Sequence, residues 1–371
     1  MRFIRVLQSL ILILCLTGGL VIAAGRDDSG TGKNLSAESW QLFQRAYGMV
    51  LRDYVDPKSP EAVMSGALQG IAEAAGPECA YIPPDEKAAY LSALLHGPSL
   101  PVYVTKKSDF AVVLAFFPDI KEKVNPGDSL RFIGDRSTYD LTYPQILVQL
   151  RKKYGKPVKC TFINRDSWQS TSVVLSPELP VKPKWTPLEG GGVLSIPCLE
   201  ANLDEKEAAL LKNTRGTILV DLRGAASGDS GEALKWLGIL LGPGRSPERK
   251  RGKNSFFDSV TGPGVLKGKH IVVLMNKTTA RAGEVLVSGL MQNGAKTVGG
   301  ETFGWAPRVE NFSLENGGIM RLSTAFYLKP DGKAINGSPI EPDVFMTRAA
   351  QEGNLHFYAR VLRKVGPKKG A

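Results

Sequence analysis

The chain has 371 residues, 43% hydrophobic and 22% charged, which excludes a disordered or fibrous chain and accommodates two or three compact domains. Its net charge of +11 favours anionic partners. The cations are scattered, however, apart from Arg245 to Lys253 and Lys364 to Lys369, and lack the interleaved aromatics of a nucleic-acid groove, so solvated surface charge and no nucleic-acid partner are expected.

Residues 1–25 read as an export signal or an N-terminal anchor. Arg2 and Arg5 form a positive start, Val6 to Leu16 is apolar, and Gly18 to Ala24 offers small residues for cleavage near Ala23 or Ala24. Retained, Val6 to Ala24 would be about long enough to span a bilayer. Cys15 lacks a lipobox frame. The body is therefore expected outside the cytoplasm, in a periplasm or beyond, and a membrane is expected as a partner only through an uncleaved leader. Beyond Cys15, the cysteines Cys79, Cys160 and Cys198 are odd in number and match no zinc spacing, so buried small apolar side chains are expected, with their disulfide state open.

Gly25 to Lys33 is a polar, Gly-rich tether. An N-terminal helical segment follows over 34–96. Leu42, Ala46, Met49 and Val50, then Val63, Ala67, Leu68 and Ile71, repeat at helical spacing on either side of Asp56-Pro57. A short helix is predicted over Glu86 to Leu95. Residues 97–177 form a strand-rich module with strands over Val102 to Thr105, Phe110 to Phe117, Ser129 to Ile133, Val158 to Asn164 and Thr171 to Leu175. It has a turn at Asn125-Pro126-Gly127-Asp128 and a helix over Tyr143 to Tyr154. Pro177 to Pro187, with four prolines, predicts an extended linker.

Over 188–348 the pattern is α/β. Strands are predicted over Gly192 to Pro197, Thr217 to Leu222, His270 to Met275 and Lys296 to Gly299, with helices over Glu205 to Lys212, Asp229 to Leu241 and Gly283 to Gln292. Gly317 to Phe326 alternates like a hairpin arm, and Pro243 to Lys253 reads as a basic loop. Residues 349–371 are a C-terminal helix and basic tail. His96, His270 and His356 form no metal pattern, Gly190-Gly191-Gly192 reads as a flexible lead-in to a strand, and Trp40, Trp168, Trp185 and Trp236 read as core or linker anchors. No metal or cofactor is expected.

Four stretches carry a resemblance. They are Thr217-Ile218-Leu219-Val220-Asp221-Leu222-Arg223-Gly224; Val272-Val273-Leu274-Met275-Asn276 with Glu284 beyond; Gly299-Gly300-Glu301-Thr302-Phe303-Gly304; and Leu322-Ser323-Thr324-Ala325-Phe326-Tyr327 with Pro330-Asp331-Gly332 and Gly337-Ser338-Pro339-Ile340-Glu341-Pro342-Asp343. In this order they resemble the C-terminal processing peptidases, the tail-specific serine proteases. The resemblance implies a mixed α/β fold: N-terminal helices, a PDZ-like module over 97–177, and a ClpP/crotonase-like core with a mixed sheet.

It also implies a serine nucleophile three residues before Glu284 and a general-base lysine directly after Phe303-Gly304. Those positions hold Arg281 and Trp305 here, with one residue fewer between them. Acyl transfer needs an oxygen or sulfur nucleophile and a proton acceptor. Arginine has donors and no acceptor, and an indole offers one N–H and no basic nitrogen. Losing the nucleophile of a serine protease costs on the order of 10⁶ in turnover. Thr278, Thr279 and Ser288 are candidate replacement nucleophiles, with Lys277, Lys296 and His270 as bases; local turn bonds are the plainer expectation for the two threonines.

The family's oxyanion loop maps to Gly224-Ala225-Ala226-Ser227-Gly228-Asp229, where Ser227 and Gly228 could present N–H groups or Ser227 and Ser230 could cap a helix. The PDZ-like carboxylate loop maps to Gly97-Pro98-Ser99-Leu100-Pro101, where two prolines remove donors. Ser99, Leu100, Val102 and Arg281 are candidate peptide-binding residues. Arg281 would take a peptide carboxylate, or else a structural acid such as Glu284 or Glu301. The expectation is an inactive exported homologue that binds peptides or proteins. The alternative is an active serine-type endopeptidase with relocated catalytic groups.

Overall fold

A computed structural model of the chain describes residues 36–95, 97–106, 109–116, 124–154, 156–346 and 355–365. The export signal or anchor read over 1–25 and the side chain of His96 lie outside them.

Two helices open the chain, α1 (Ala37–Asp53) and α2 (Pro60–Ala75). Ser36 and Ser59 cap them by accepting the Ser39 and Ala62 amide hydrogens, and Pro60 sits where its missing donor costs nothing. Strand β1 (Ala80–Ile82) and helix α3 (Pro84–Ala93) follow. A five-strand sheet comes next, with order β2-β3-β4-β6-β7, from β2 (Val102–Lys106), β3 (Ala111–Phe116), β4 (Ser129–Ile133), β6 (Val158–Ile163) and β7 (Ser170–Leu175). The short β5 (Arg136–Ser137) pairs β4. Helix α4 (Tyr143–Leu150) closes the sheet. It starts in a capping box of Thr142 and Gln145 and ends before the predicted Tyr154. Ile146 and Leu150 meet Val102, Val104 and Val113 in a core of their own.

Pro177 to Pro187 is not wholly a linker. Glu178 and Ser99 exchange backbone hydrogen bonds, and β8 (Lys184–Leu188) pairs antiparallel with β9 (Gly191–Ser195). Edge strands accept prolines, which is why this segment pairs. The central sheet then runs β19-β16-β15-β10-β9-β8. Helix α5 (Glu205–Asn213) links β9 to β10 (Thr217–Asp221), and α6 (Ser230–Leu241) follows β10. The basic stretch over Pro243 to Lys253 folds into β11 (Gly244–Arg245) and β12 (Arg249–Arg251), pairing β14 (Ser259–Val260) and β13 (Asn254–Phe256).

Strand β15 (His270–Met275) leads into α7 (Ala282–Gln292), and β16 (Lys296–Gly299) into β17 (Pro307–Ser313) and β18 (Ile319–Tyr327). Strand β19 (Val344–Phe345) completes the central sheet and α8 (Leu355–Val365) the described chain. Strands β9, β10, β15, β16 and β19 are parallel and β8 is antiparallel, so the sheet is mixed and the fold α/β.

One sheet face packs α5, α6 and α7 through Leu211, Trp236, Leu237, Val285 and Leu286. The other is covered by Phe357, Val361 and Leu362 of α8 against Val193, Leu219 and Val272. Arg223 and Tyr358 both bond the Asp221 carboxylate, tying α8 to the end of β10.

Trp185 and Trp236 are core anchors as expected, whereas Trp168 is 80% exposed and Trp40 is also exposed. Trp168 sits in the turn between β6 and β7, and α1 buries no residue. Cys79, Cys160 and Cys198 are free and buried. Gly190-Gly191-Gly192 is not a flexible lead-in. A Cβ on Gly191, at φ +152, would lie 1.9 Å from the Thr217 carbonyl oxygen, and one on Gly192 would strike the Trp185 ring at 2.4 Å. The glycines let β9 lie flush on its neighbours. Gly191→Ala is accordingly expected to lower stability by roughly 3 kcal/mol, read as a shift in urea midpoint; an unchanged midpoint contradicts the close approach.

Candidate functional site

Loops leaving the carboxyl ends of β10 and β15 meet at one edge of the central sheet, where open α/β folds place their sites. Arg281 stands at the turn between β15 and α7 with φ +53 and ψ −120. A non-glycine residue there stores on the order of 1–3 kcal/mol of strain. The turn is held from several sides. The Arg281 N–H donates to the Trp305 carbonyl at 2.9 Å, the Ala280 N–H to Ala225 at 3.1 Å and the Thr279 N–H to Asn276 at 2.8 Å. Gly283 lets α7 begin against the preceding loop, since a Cβ there would lie 2.0 Å from the Ala225 carbonyl oxygen.

The Arg281 side chain is 8% exposed and donates to the carboxylate of Glu78, in the loop between α2 and β1. The Trp305 indole N–H donates to the same Glu78 oxygen at 2.8 Å. Thr105 of β2 donates to it as well. Arg321 of β18 faces the other oxygen at 3.7 Å and bonds the Glu78 carbonyl at 3.3 Å. Both guanidinium groups lie over the Tyr143 ring, 5.1 and 5.0 Å from its centre. The sequence expectation of Glu284 or Glu301 as the partner of Arg281 is thus corrected: the acid is Glu78, 203 residues away.

Burial pushes the Glu78 carboxyl up, but Arg281 and Arg321, helped by hydrogen bonds from Thr105 and Trp305, outweigh it and hold the group below its ordinary 4.5. Burial likewise opposes the Arg281 charge, and Glu78 outweighs it, so that cation is strengthened.

Glu284 has a different task. It accepts hydrogen bonds from Thr302 Oγ1, from the Gly304 N–H at 2.7 Å and from the Trp305 N–H at 2.8 Å, fixing the loop that carries Trp305. Burial pushes its carboxyl up to about 7 against those donors. Glu301 pairs Lys277 at 3.1 Å near the surface.

The structure does not gather the candidate replacement nucleophiles into a site. Thr278 Oγ1 donates to Asn276 and accepts the Gly224 N–H. Thr279 Oγ1 donates to the Leu222 carbonyl and accepts the Asn276 N–H. Ser288 Oγ donates to the Leu328 carbonyl from inside α7. All three hydroxyls are occupied, Thr278 by the Asn276 side chain and the Gly224 N–H and the other two by backbone groups. Thr217 lies 3.1 Å from His270 Nδ1, but at the opposite ends of β10 and β15. Ser338 Oγ accepts from Lys329 Nζ at 2.7 Å, and the same ammonium reaches the Pro339 carbonyl at 3.3 Å.

In the loop after β10, Ser227 is not a cap. Its Oγ accepts the Leu199 N–H at 2.8 Å and donates to Cys198 Sγ at 3.2 Å, while Asp229 caps α6. Gly228 takes φ +75. Tyr103, Leu114 and Ala115 of the β2-β3 module pack with Ala226, Ala280 and Phe303 in one cluster, so the module lies against both loops.

The peptide-binding candidates are committed internally. The Ser99 N–H donates to Glu178, the Leu100 N–H to Leu150 and the Val102 N–H to Leu100. Pro98 and Pro101 have no N–H to give. A carboxylate nest needs convergent amide hydrogens, and these are spent. A cavity of about 470 Å³ lies beside the Glu78 loop, lined among others by Glu73, Pro77, Lys106, Asp140 and Tyr143; neither Arg281 nor Trp305 lines it. Among the described residues no group of three or more His, Cys, Asp or Glu is placed to hold a metal.

Glu78, Thr105, Tyr143 and Arg321 were absent from the sequence expectations. Removing one partner of a buried ion pair leaves the other uncompensated, so Arg281→Ala is expected to cost about 3–5 kcal/mol. Arg281→Ala combined with Glu78→Gln should recover part of that loss, and additive losses in chemical denaturation contradict the pairing. Because the Glu78 carboxyl is depressed in the fold, its contribution is complete above pH 4.5 and lost as pH falls through the folded value. Wild-type stability should therefore drop below about pH 4.5 toward that of Glu78→Gln; parallel curves at all pH contradict it.

Residues 192–346 match Peptidase family S41. The chain is 24% identical over 358 residues to the "Probable CtpA-like serine protease" of Staphylococcus epidermidis, covering 92% of this chain and 72% of that protein. The Staphylococcus aureus protein of the same description is 23% identical over 358 residues, with the same coverage of 92% and 72%. Among solved structures, the photosystem II D1 C-terminal processing protease superposes with a TM-score of 0.67 at 18% identity, over 87% of this chain and 96% of that one. With the mixed sheet, the strained turn before α7 and the ordered motifs in hand, residues 192–346 are the part of the chain that matches peptidase family S41, and the fold around them is that of a C-terminal processing protease.

Proposed function

We propose that this chain is a proteolytically silent, exported member of its family that works by binding protein partners at the cell envelope. The observation that carries the proposal is the single Glu78 oxygen accepting from both Arg281 and the Trp305 indole. The two positions aligned with nucleophile and base are donors to one buried carboxylate, and neither can take a proton from a water or a hydroxyl. What an oxyanion loop and binding alone supply is roughly 10³ to 10⁴ over water, too little for a working protease. The β2-β3 module on Ala226 and Ala280 supports the same reading, because it lies against the loops that a scissile peptide would have to reach. An order of strands and one helix, with β2 outermost among the described strands of the sheet, supports a PDZ-like character for that module. The positive, apolar and small-residue run over Arg2 to Ala24 supports export.

The spent amides around Ser99 and Leu100 point away from recognition of a free C-terminus and toward a folded protein surface. One observation favours the alternative of an active peptidase with relocated groups: Ser338 and Lys329 stand 2.7 Å apart, the residue types of a serine–lysine dyad. Against it, the Lys329 ammonium donates to both the Ser338 hydroxyl and the Pro339 carbonyl, at 2.7 and 3.3 Å.

Purified protein incubated with unstructured casein should leave it intact by mass spectrometry over a day. Cleavage that disappears in Ser338→Ala would overturn silence and install the alternative. Peptides with free and amidated C-termini should bind equally weakly, and a preference for the free acid of tenfold or more would restore the carboxylate role of Ser99, Leu100 and Arg281.

A further inference from the structure

Strands β12 and β13 form a hairpin turned by Gly252, at φ +60, on the edge of the sheet β1-β18-β12-β13. Residues 250–257 are all exposed. They include Lys250, Arg251 and Lys253 and no acidic residue, and Arg245 is exposed beside them. Arg249 is different, being paired with Asp258 through two hydrogen bonds of 3.0 Å. Two rings lie on the hairpin segment, Phe256 at 37% and Phe257 at 48% exposed, and Phe326 of β18, 44% exposed, lies beside it. The register sets Lys250 opposite both Ser255 and Phe326, so an ammonium and a ring share the outer face. Arg245 lies over the Phe257 ring at 5.8 Å and Arg249 over Phe256 at 4.9 Å.

Solvated charge alone explains exposed cations, and one exposed ring needs no explanation. Three rings beside four cations on a projecting tip are a different case. A surface of this chemistry fits a layer with anionic charge outside and apolar material within reach of a side chain. An acidic peptide would need a groove to lie in, and the cavity described above is bordered by Lys106 and Tyr143, not by the hairpin. We propose that the hairpin over residues 245–257 docks the protein on an anionic lipid bilayer. Lys250, Arg251 and Lys253 lie against the phosphates and the phenylalanines enter the headgroup boundary.

The test compares the full chain with Lys250→Glu/Arg251→Glu/Lys253→Glu and with Phe256→Ser/Phe257→Ser in vesicle sedimentation. Vesicles are phosphatidylcholine alone or with phosphatidylglycerol. The leader over residues 1–25, if retained, carries Arg2 and Arg5, so the readout is the anionic preference that the charge reversal removes from the full chain. Each interfacial cation is worth about fivefold in affinity, so three predict roughly a hundredfold preference for anionic vesicles, weakened by salt and abolished in the charge reversal. The phenylalanine variant should bind anionic vesicles more weakly with the salt dependence kept. Equal wild-type binding to both vesicles, or a charge reversal that keeps the preference, overturns the proposal. So does tight capture of polyglutamate by a wild-type protein that ignores the vesicles. Thermal melting of each variant confirms that these exposed substitutions leave the fold intact.

Discussion

The buried carboxylate of Glu78 is the interaction on which the rest of the molecule leans. It comes from the loop after the N-terminal helices, takes a hydroxyl from the β2 strand of the middle module, and meets Arg281, Trp305 and Arg321 of the core. A buried charge is costly unless paired and hydrogen-bonded, and here two cations and three hydrogen bonds surround it. Three stretches of chain are therefore obliged to share one arrangement, since separating any of them uncovers an unmatched charge. Tyr143, beneath both guanidinium groups, adds the middle module's helix to the same knot.

Backbone and side chain serve different ends at Arg281. The turn has a strained backbone, φ +53 with ψ −120, and the packing of Gly283 against Ala225 makes it possible. Glu284 still organises the neighbouring loop by taking two amide hydrogens and a hydroxyl. The side chain displayed by this apparatus is a cation turned inward. Strain of this kind persists where the surroundings over-determine it, and Glu78 is now part of what does so.

Much of this was legible in the sequence, and the gaps have physical causes. Runs such as Thr217–Asp221 and His270–Met275 are apolar enough to be buried on both faces, which marks parallel strands. The ordered motifs located Arg281 and Trp305. Strands β17 and β12 were missed because their side chains are largely half-exposed or exposed and their register depends on β18. The partner of Arg281 was missed for a plainer reason: nothing local in Gly76-Pro77-Glu78-Cys79 distinguishes an acid destined for burial from one in a surface turn. The use of the Ser99 and Leu100 amides was hidden in the same way, since their acceptors, Glu178 and Leu150, belong to distant elements.

The last described helix, α8, has a bearing on how the molecule comes into being. Among the described helices it alone covers the second face of the central sheet, with Phe357, Val361 and Leu362 over strands made well before it. As the chain is made, that face stays wet until α8 emerges. Helices α5, α6 and α7 can settle as they appear, but the sheet becomes a closed layer only when α8 arrives, so completion of the core waits on residues 355–365.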